Sequence, residues 1–341
     1  MRLLVITQAI DRDDPALGFF HEWVEALAPH FERIVVVCLK QGRHMLPSNV
    51  TVESLGKEKG TSRLTRTWRV FRYSFSYRKE YDAVFVHMNQ EYVLLTGWFW
   101  RKLGKPIYFW RNHYAGSLLT DRAARQCKKV FYTSKSSYTA RFPNAVQMPV
   151  GVDMKTFMQA SDSVRDPRAI LFFGRIASSK KPDVFLKALG LLARGGTHFG
   201  ATVCGVPASK AYLENLEHLS AELGISSRVR FLPPLAHREV PKLMSKHAIY
   251  VNCSPSGMYD KTMFEAAACG CMTVACSKDF AALVPPRFSF ADDHVEELAR
   301  KLRALLELPL IEQQGASAQM HNLAKMHSLE MLAVRLAQEM H

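Results

Sequence analysis

The sequence has no apolar segment long enough to cross a lipid bilayer. The longest candidate away from the N-terminus, residues 92–100, is far shorter than the ~20 residues that a membrane-spanning helix needs. The apolar run at the N-terminus ends within a few residues at Asp11, so we expect a first strand there and not a signal peptide. We therefore expect a cytoplasmic protein that does not span the membrane, with peripheral contact to its inner face left open.

The cysteines also lack the spacing that is typical of a metal site or of a disulfide framework. The seven cysteines include no C-x-x-C pair, and only Cys269 and Cys271 lie close together, on either side of Gly270. This pattern is typical of small buried thiols in a reducing compartment. No D-x-D motif is positioned for a metal ion, so we expect neither a metal nor another cofactor.

The sequence contains fewer acidic residues than basic ones. The 341-residue chain carries 45 Lys and Arg against 31 Asp and Glu, which gives a formal net charge of +14. Such an excess predicts an acidic partner: nucleotide phosphates, nucleic acid or an anionic membrane surface. No recognised nucleic-acid-binding motif accompanies the charge, so we expect no nucleic-acid partner. The length predicts two domains.

Short apolar segments alternate with segments of helical period along the chain, as is typical of α/β proteins whose parallel sheets are covered on both faces. A break rich in proline, glycine and serine at residues 148–167 divides the pattern in two. We therefore predict two doubly wound, Rossmann-like domains that face a central cleft. The predicted segments are an N-terminal domain over 1–152, a linker over 153–167, a C-terminal domain over 168–325 and a final helix over 326–341, whose return to the N-terminal domain is left open.

Individual elements follow from the same pattern. The predicted strands are 3–7, 34–38, 83–87, 107–110, 130–133, 169–173, 201–204, 229–232, 249–251 and 272–275. The predicted helices are 18–29, 64–77, 91–103, 182–192, 210–223, 239–246, a short one from about 260 to 270, 293–306 and 328–340.

The stretch 252–275 contains the strongest sign of chemistry. A Ser/Pro/Gly loop leads directly into the short helix, and such a helix start presents unpaired N–H groups and a positive dipole end to a phosphate. Lys261 in the first turn adds a full positive charge, and Glu265 one turn later offers a carboxylate that suits a ribose diol. These features predict half of a sugar-nucleotide site.

A second basic loop follows the strand 169–173. Gly174 allows a sharp turn there, and Arg175 and Lys180 lie on either side of the loop before the next helix. A guanidinium and an ammonium that converge would bind a diphosphate and stabilise its charge as it leaves. The pattern alone is also typical of ordinary surface basic residues.

The motif F-F-G-R-I-A-S-S-K-K-P-D (172–183), followed by the run that ends in E-A-A-A-C-G-C (265–271), resembles the family-4 retaining glycosyltransferases, which have the GT-B fold. V-R-F-L-P-P-L (229–235) is similar to the strand and turn that frame the nucleotide base, and P-V-G-V-D (149–153) to the end of the N-terminal domain. V-F-V-H and F-W-R-N-H are similar to the two histidine-bearing strand ends of that domain. The resemblance extends over nearly the whole chain and is strongest over 169–275.

The resemblance implies a role for individual residues on the donor side. Arg175 and Lys180 would hold the donor diphosphate and act in catalysis, beside Gly174, and Glu265 would bind the ribose hydroxyls. Gly18, in the first loop–helix turn, would lie close to the donor phosphates or sugar. The other expected donor-binding residues are Pro233, Leu235, Gly257, Met258, Tyr259, Asp260, Lys261 and Thr262.

The resemblance also implies roles in the N-terminal domain. His113 would meet the transferred sugar or the acceptor near the reacting carbon, and we place it with Arg175 and Lys180 as catalytic. The expected acceptor-binding residues are His87, Asn89, Arg111 and Asn112. A lone histidine such as His87 is also typical of a satisfied residue at a strand end.

One departure from the family concerns the E-x7-E motif. Its first glutamate falls at position 257, where this chain has Gly257, and the usual E-G-F-G is replaced by G-M-Y-D. The remaining motif also permits a structural interpretation, in which Thr262 and Glu265 form a capping box or Asp260 is the N-cap.

We favour a metal-independent retaining hexosyltransferase that uses a UDP-linked sugar and a lipid-linked or polysaccharide acceptor in cell-envelope glycan synthesis. The alternatives are a sugar-nucleotide epimerase or hydrolase on the same fold, and a non-catalytic protein that binds nucleotide sugars or membranes.

Residues 63–79 form a last candidate feature. Leu64, Trp68, Phe71 and Phe75 recur at helical spacing, and arginines recur every third residue beside them, at 63, 66, 69 and 72. A basic, aromatic helix suits an anionic membrane surface. The alternative is a helix with its apolar stripe in the core and a solvated basic face.

Overall fold

The computed structural model describes residues 1–14, 17–158, 164–256 and 259–341. These residues divide into two compact units. Unit 1 comprises residues 1–151 together with 329–341, and unit 2 comprises residues 152–328. Each unit is described by itself below.

The described part of unit 1 contains a seven-stranded parallel sheet with the order β3-β2-β1-β4-β5-β6-β7. Its strands are β1 (Arg2–Ile10), β2 (Arg33–Gln41), β3 (Val50–Ser54), β4 (Ala83–His87), β5 (Ile107–Trp110), β6 (Lys129–Tyr132) and β7 (Ala145–Gln147). Successive side chains of a strand point to opposite faces. Leu3 and Val5 therefore enter one core cluster, and Leu4 and Ile6 enter the other. This is why the central strands are near-continuous apolar runs.

Helices cover both faces of this sheet. They are α1 (Phe19–Leu27), α2 (Arg63–Ser76), α3 (Gln90–Lys102), α4 (Leu118–Ala124) and the last helix of the chain, α12 (Leu329–Met340). Leu332 and Leu336 of α12 are buried in the same cluster as Trp23 of α1. The buried Tyr108 hydroxyl donates a hydrogen bond to the Met340 carbonyl at 2.8 Å, so α12 is part of the unit 1 core.

The described part of unit 2 contains a five-stranded parallel sheet with the order β10-β9-β8-β11-β12. Its strands are β8 (Asp166–Phe173), β9 (Gly200–Cys204), β10 (Val229–Leu232), β11 (His247–Asn252) and β12 (Met272–Ala275). Its helices are α5 (Pro182–Arg194), α6 (Lys210–Glu222), α7 (Val240–Ser245), α8 (Lys261–Ala268), α9 (Lys278–Ala281), α10 (Val295–Leu306) and α11 (Leu310–Met326).

The predicted fold class, two doubly wound parallel sheets with helices, is confirmed. In both sheets the strand order reverses beside the first strand: between β1 and β4 in unit 1, and between β8 and β11 in unit 2. Ligands of such sheets bind beyond the carboxyl ends of the strands at this switch point. The fold therefore directs attention to the loops that follow these four strands.

Some elements were not predicted, namely β3, β7, α4, α9 and α11. The predicted linker 153–167 overlaps β8 at its end, and its residues 159–163 lie outside the described residues. None of the helices in the described ranges combines the length and the apolar composition that crossing a bilayer requires.

Candidate functional site

Two glycines bring the ends of β8 and β9 together in unit 2. Gly174 has φ +145° and Gly205 has φ +151°, a region that side chains other than glycine rarely adopt. A Cβ atom on Gly205 would lie 1.7 Å from the Gly174 carbonyl oxygen. The backbone can therefore turn tightly out of β8 into the loop that carries Arg175. Sequence reasoning identified Gly174 but missed Gly205, although the same strand–glycine pattern follows β9.

The structure brings the loop after β8 against the start of α8. Lys180 Nζ lies 2.6 Å from Asp260 Oδ2, and both side chains are largely buried. Arg175, at the start of the same loop, is exposed and forms no hydrogen bond or ion pair with any residue in the described ranges. The switch point of unit 2 thus combines the Lys180 ammonium, which Asp260 holds, the Arg175 guanidinium, which has no partner among the described residues, and the N-terminus of α8.

Helix α8 begins at Lys261, with Asp260 as its N-cap residue. Thr262 lies inside the first turn, and its hydroxyl donates to Asp260 Oδ1 at 2.8 Å. The capping-box interpretation of Thr262 and Glu265 is therefore wrong, because a capping box needs its hydroxyl residue at the N-cap. Asp260 occupies the N-cap position, but in the described part of the site its carboxylate makes no capping bond to the helix.

Glu265 is buried inside α8, one turn after Lys261. Its Oε1 lies 3.7 Å from Lys261 Nζ. Burial raises the pKa of Glu265, and the nearby Lys261 opposes that rise. Since the capping role is excluded, Glu265 remains a buried carboxylate at the predicted ribose position.

The remaining predicted donor residues have more varied positions. The Tyr259 hydroxyl donates to the Asp279 carbonyl at 3.0 Å, and its ring packs edge-on against Phe264, so this side chain is part of the unit 2 interior. Pro233 and Leu235 follow the carboxyl end of β10. Gly257 and Met258 lie outside the described residues.

Unit 1 has a similar arrangement at its own switch point. His87 Nδ1 lies 3.2 Å from Thr7 Oγ1, and Gln8 Nε2 donates to Asn89 Oδ1 at 2.5 Å, so hydrogen bonds join the ends of β1 and β4. The His87 ring is buried and stacks on Phe20 with centroids 4.0 Å apart. Burial lowers the pKa of His87 to about 3, so the ring is neutral at physiological pH. This environment favours the interpretation of His87 as a satisfied strand-end residue.

The loop after β5 holds the next three predicted residues. Asn112 Oδ1 accepts hydrogen bonds from the Thr133 and Ser134 backbone N–H groups, at 3.2 and 3.0 Å. Arg111 Nη2 donates to the Ala115 carbonyl at 3.1 Å. His113 Nδ1 lies 2.9 Å from the backbone nitrogen of Ala115, and its ring is partly exposed. Asn112 and Arg111 therefore shape this loop, and His113 is half-buried in it, as they are.

Gly18 is the N-cap residue of α1, and its N–H donates to the Asp14 carbonyl at 2.9 Å. A Cβ atom on Gly18 would lie 2.7 Å from that same carbonyl oxygen, so a larger residue would displace the loop. Glycine is needed here for a close backbone approach within unit 1.

The interpretation in which the apolar stripe of helix α2 lies in the core is wrong, because that stripe is on the exposed side of the helix. Val70 and Ser74 are buried, and the Tyr73 hydroxyl donates to the Ser54 carbonyl at 3.3 Å, so this side of α2 faces β3. The opposite side is apolar but exposed: Leu64 is 83%, Trp68 58% and Phe75 55% accessible.

The exposed side of α2 continues onto α3, and Arg72 lies beside it. Trp98 of α3 is 54% accessible and lies 6.5 Å from the Phe71 ring. The Arg72 guanidinium lies 5.4 Å from the Trp68 ring. Arg69 is different, because its guanidinium donates to the Leu55 carbonyl at 3.0 Å. We call this surface the α2–α3 face; it is formed by Leu64, Trp68, Phe71, Phe75 and Trp98 with Arg72.

Comparison with known proteins places this geometry in context. The model of the family described as "Glycosyl transferases group 1" matches residues 153–322. A curated D-inositol 3-phosphate glycosyltransferase of Mycolicibacterium gilvum is 34% identical over 137 residues, which are 37% of this chain and 30% of that protein. The chain therefore covers less than a third of the length of that relative.

Solved structures match over almost the whole chain. HepE of Anabaena, in complex with UDP and glucose, has a TM-score of 0.75 and 17% identity, and covers 99% of this chain and 98% of its own. Sucrose-phosphate synthase of Thermosynechococcus elongatus has a TM-score of 0.77 and 15% identity, again with 99% and 98% covered. At such identities the likeness establishes the fold, which is GT-B.

Proposed function

Residues 153–322 belong to the group 1 glycosyl transferases, and on this premise we propose that the protein is a retaining, metal-independent glycosyltransferase. Its donor is a nucleotide-diphosphate sugar, with UDP as the favoured nucleotide. Its acceptor is a lipid-linked molecule or a polysaccharide of cell-envelope glycan synthesis. The similarity to HepE, whose structure holds UDP and glucose, supports the choice of nucleotide.

The observation that carries this proposal is the 2.6 Å contact between Lys180 and Asp260. It joins the loop after β8 to the N-terminus of α8, so that Lys180 and the helix dipole act at one place. Arg175 in the same loop is exposed and forms no hydrogen bond or ion pair with the described residues. Positive groups that are fixed before the reaction stabilise charge that develops in the transition state.

The proposed reaction breaks the bond between the anomeric carbon of the donor sugar and a phosphate oxygen. The acceptor hydroxyl oxygen bonds to that carbon from the same face, as the family resemblance implies, and a phosphate oxygen takes its proton. Negative charge develops on the leaving nucleoside diphosphate in the transition state, before that proton reaches it. Arg175, Lys180 and the start of α8 neutralise that charge, and Glu265 holds the ribose.

Thermal shift against a panel of nucleotide sugars tests the donor. A ligand that binds only the folded state at 100 times its Kd stabilises it by about 2.7 kcal/mol. We expect UDP-sugars to raise the Tm of the protein more than GDP- or ADP-sugars do. If no nucleotide sugar raises the Tm, the proposed function is wrong; if only GDP-sugars do, the UDP assignment is wrong.

We further propose that the protein docks peripherally on an anionic membrane through the α2–α3 face. Solvent-exposed Trp and Phe rings beside arginines match the composition of interfacial membrane-binding helices. Helix α2 contains no acidic residue, and each basic residue near an anionic leaflet contributes about 1 kcal/mol. Such docking would bring the enzyme to a lipid-linked acceptor.

Liposome flotation tests the docking. We expect the protein to float with vesicles that contain anionic lipid and to remain at the bottom with purely zwitterionic vesicles. Equal flotation with both compositions would contradict the electrostatic part of the proposal.

A further inference from the structure

We propose that Asp260 is a positioning residue, whose carboxylate holds the Lys180 ammonium at the N-terminus of α8 in the place where it meets the donor diphosphate. The inference rests on the proposed function, because it assigns a role within the same site. It concerns a position at which this chain carries aspartate where the family's usual E-G-F-G ends in glycine.

The Asp260 carboxylate is saturated by donors from three different segments. Besides Lys180 at 2.6 Å, Asn252 Nδ2 and Ser254 Oγ lie 3.2 and 3.4 Å from Oδ2, and Thr262 Oγ1 lies 2.8 Å from Oδ1. A carboxylate accepts about four hydrogen bonds. Its capacity is therefore used within the protein, which suits a role in holding another side chain and not in binding a ligand directly.

The same network reaches the Arg175 loop from its other end. The Tyr250 hydroxyl lies 2.7 Å from Thr262 Oγ1 and 3.1 Å from the Phe173 carbonyl oxygen. Phe173 ends β8, two residues before Arg175. Asp260 thus contacts the loop directly at Lys180 and, through Thr262 and Tyr250, indirectly at its first residues.

The contact with Asp260 restrains the Lys180 side chain as well as neutralising its charge. A lysine ammonium has three donors on a flexible four-carbon stem, and Asp260 occupies one of them. Among the described residues Asp260 is the one hydrogen-bond partner of the Lys180 ammonium, so two donors remain there for phosphate oxygens while the stem is restrained. Preorganised donors stabilise a developing charge because they need no reorganisation during the reaction.

The charge state of Asp260 agrees with this role. Burial by itself would raise its pKa, but the charge and hydrogen bond of Lys180, with Thr262 and Asn252, lower the pKa below its usual value. The carboxylate is therefore ionised at neutral pH and the ion pair is present.

An opposite role is conceivable on electrostatic grounds, because a carboxylate at a phosphate site repels the phosphate. The two roles differ in sign. If Asp260 positions Lys180, removal of its charge weakens nucleotide binding; if it competes with phosphate for Lys180, removal strengthens binding.

The test measures the Kd of UDP by calorimetry in the wild type, Lys180→Ala, Asp260→Asn and the double variant. Asparagine keeps the size of the side chain and removes its charge. We expect Asp260→Asn to weaken UDP binding about fivefold or more, and Lys180→Ala about tenfold or more, as is usual for charge-assisted contacts. In the double variant, Asp260→Asn should add nothing to Lys180→Ala, because a positioning residue acts only through its partner.

Asp183→Asn is the matched control, because Asp183 also pairs with a lysine, Lys187 at 2.9 Å, but in an exposed pair within α5. It should leave the Kd of UDP unchanged. Tighter UDP binding by Asp260→Asn, or an effect of equal size with and without Lys180, would overturn the inference. If the wild type itself does not bind UDP, it is the proposed function that fails, and the two failures are thus distinguishable.

Discussion

The loop after β8 in unit 2 and the α2–α3 face in unit 1 present basic side chains in different ways. In unit 2, Lys180 is paired with Asp260, and Lys181 with Asp292 and Asp293 at 2.8 and 2.7 Å. In unit 1, Arg72 forms no ion pair with any residue in the described ranges and lies beside the exposed Trp68 ring. A cation held in one place suits a small ligand with a fixed arrangement of oxygens. Unpaired cations on an apolar face suit an extended surface whose charges are mobile.

The largest expected effect concerns Arg175, the exposed cation of the loop after β8 in unit 2. Arg175→Ala should lower turnover about a hundredfold or more, because one donor to a developing charge contributes about that factor. Arg168→Ala is the matched control, since Arg168 lies near the amino end of the same strand, β8. Steady-state kinetics with a UDP-sugar donor measures both variants. Unchanged turnover in Arg175→Ala would remove the proposed mechanism.

The next effect concerns stability in acid and applies to unit 1. The pKa of His87 is about 3 in the folded protein, below its usual value of about 6.5 in the unfolded chain. The unfolded state therefore binds more protons below pH 6.5, and stability falls as the pH falls. Between pH 7 and pH 5 this histidine should cost about 2 kcal/mol of unfolding free energy.

Urea unfolding of the wild type and of His87→Gln at both pH values measures this term. The variant should lose less stability between pH 7 and pH 5 than the wild type does. An identical pH dependence in the two proteins would contradict the assignment. Burial also lowers the pKa of His327 in unit 2, to about 4. We expect this histidine to contribute to the loss of unfolding free energy that remains in His87→Gln between pH 7 and pH 5.

A somewhat smaller effect tests the exposed rings of the α2–α3 face in unit 1. The double variant Trp68→Ala/Phe75→Ala should bind anionic vesicles about tenfold more weakly, because two large apolar side chains no longer enter the interface. Ile311→Ala is the control, since Ile311 of unit 2 is 73% accessible but lies outside the α2–α3 face. Flotation at graded lipid concentrations measures the change. Equal binding by the double variant would show that the face does not contact lipid.

The smallest effect tests whether the two units respond independently. Tyr108→Phe removes the buried hydrogen bond to the Met340 carbonyl and should destabilise unit 1 by about 1 kcal/mol. The Kd of UDP should not change, because the loops that we propose to bind the diphosphate belong to unit 2. Thermal unfolding and calorimetry measure the two quantities. A weaker UDP affinity in Tyr108→Phe would contradict the assignment of UDP binding to unit 2 alone.

The sequence was most informative where local pattern and packing agree. Strands β4 and β5 were predicted at their observed bounds because their residues are apolar on both faces. Helix α11 was missed because its buried side includes Gln313 and Ala316 as well as Met320, so it shows little apolar periodicity. Edge strands β3 and β7 were missed for a related reason, since their residues are only half-buried.

The candidate site shows a similar limit. The sequence pointed to Arg175, Lys180 and Glu265 because glycine turns and a helix start have recognisable local patterns. It gave no indication that Lys180 pairs with Asp260, which is 80 positions away, or that Tyr250 inside an apolar strand joins the two loops. Such contacts depend on which strands become neighbours in the sheet, and local patterns do not encode that. Helix α2 was ambiguous because tyrosines on its inner side satisfy their hydroxyls on β3, which leaves the larger apolar residues outside.

The position of α12 has a consequence for synthesis of the protein. Leu332, Leu336 and Met340 belong to the same buried cluster as Leu3 and Val5, although the whole of unit 2 separates them in the chain. A ribosome adding 5–20 residues per second needs roughly ten to thirty seconds to make that intervening segment. Throughout this time the first 151 residues expose the surface that α12 will cover. During this interval the nascent N-terminal segment is an incomplete domain, of the kind that chaperones recognise.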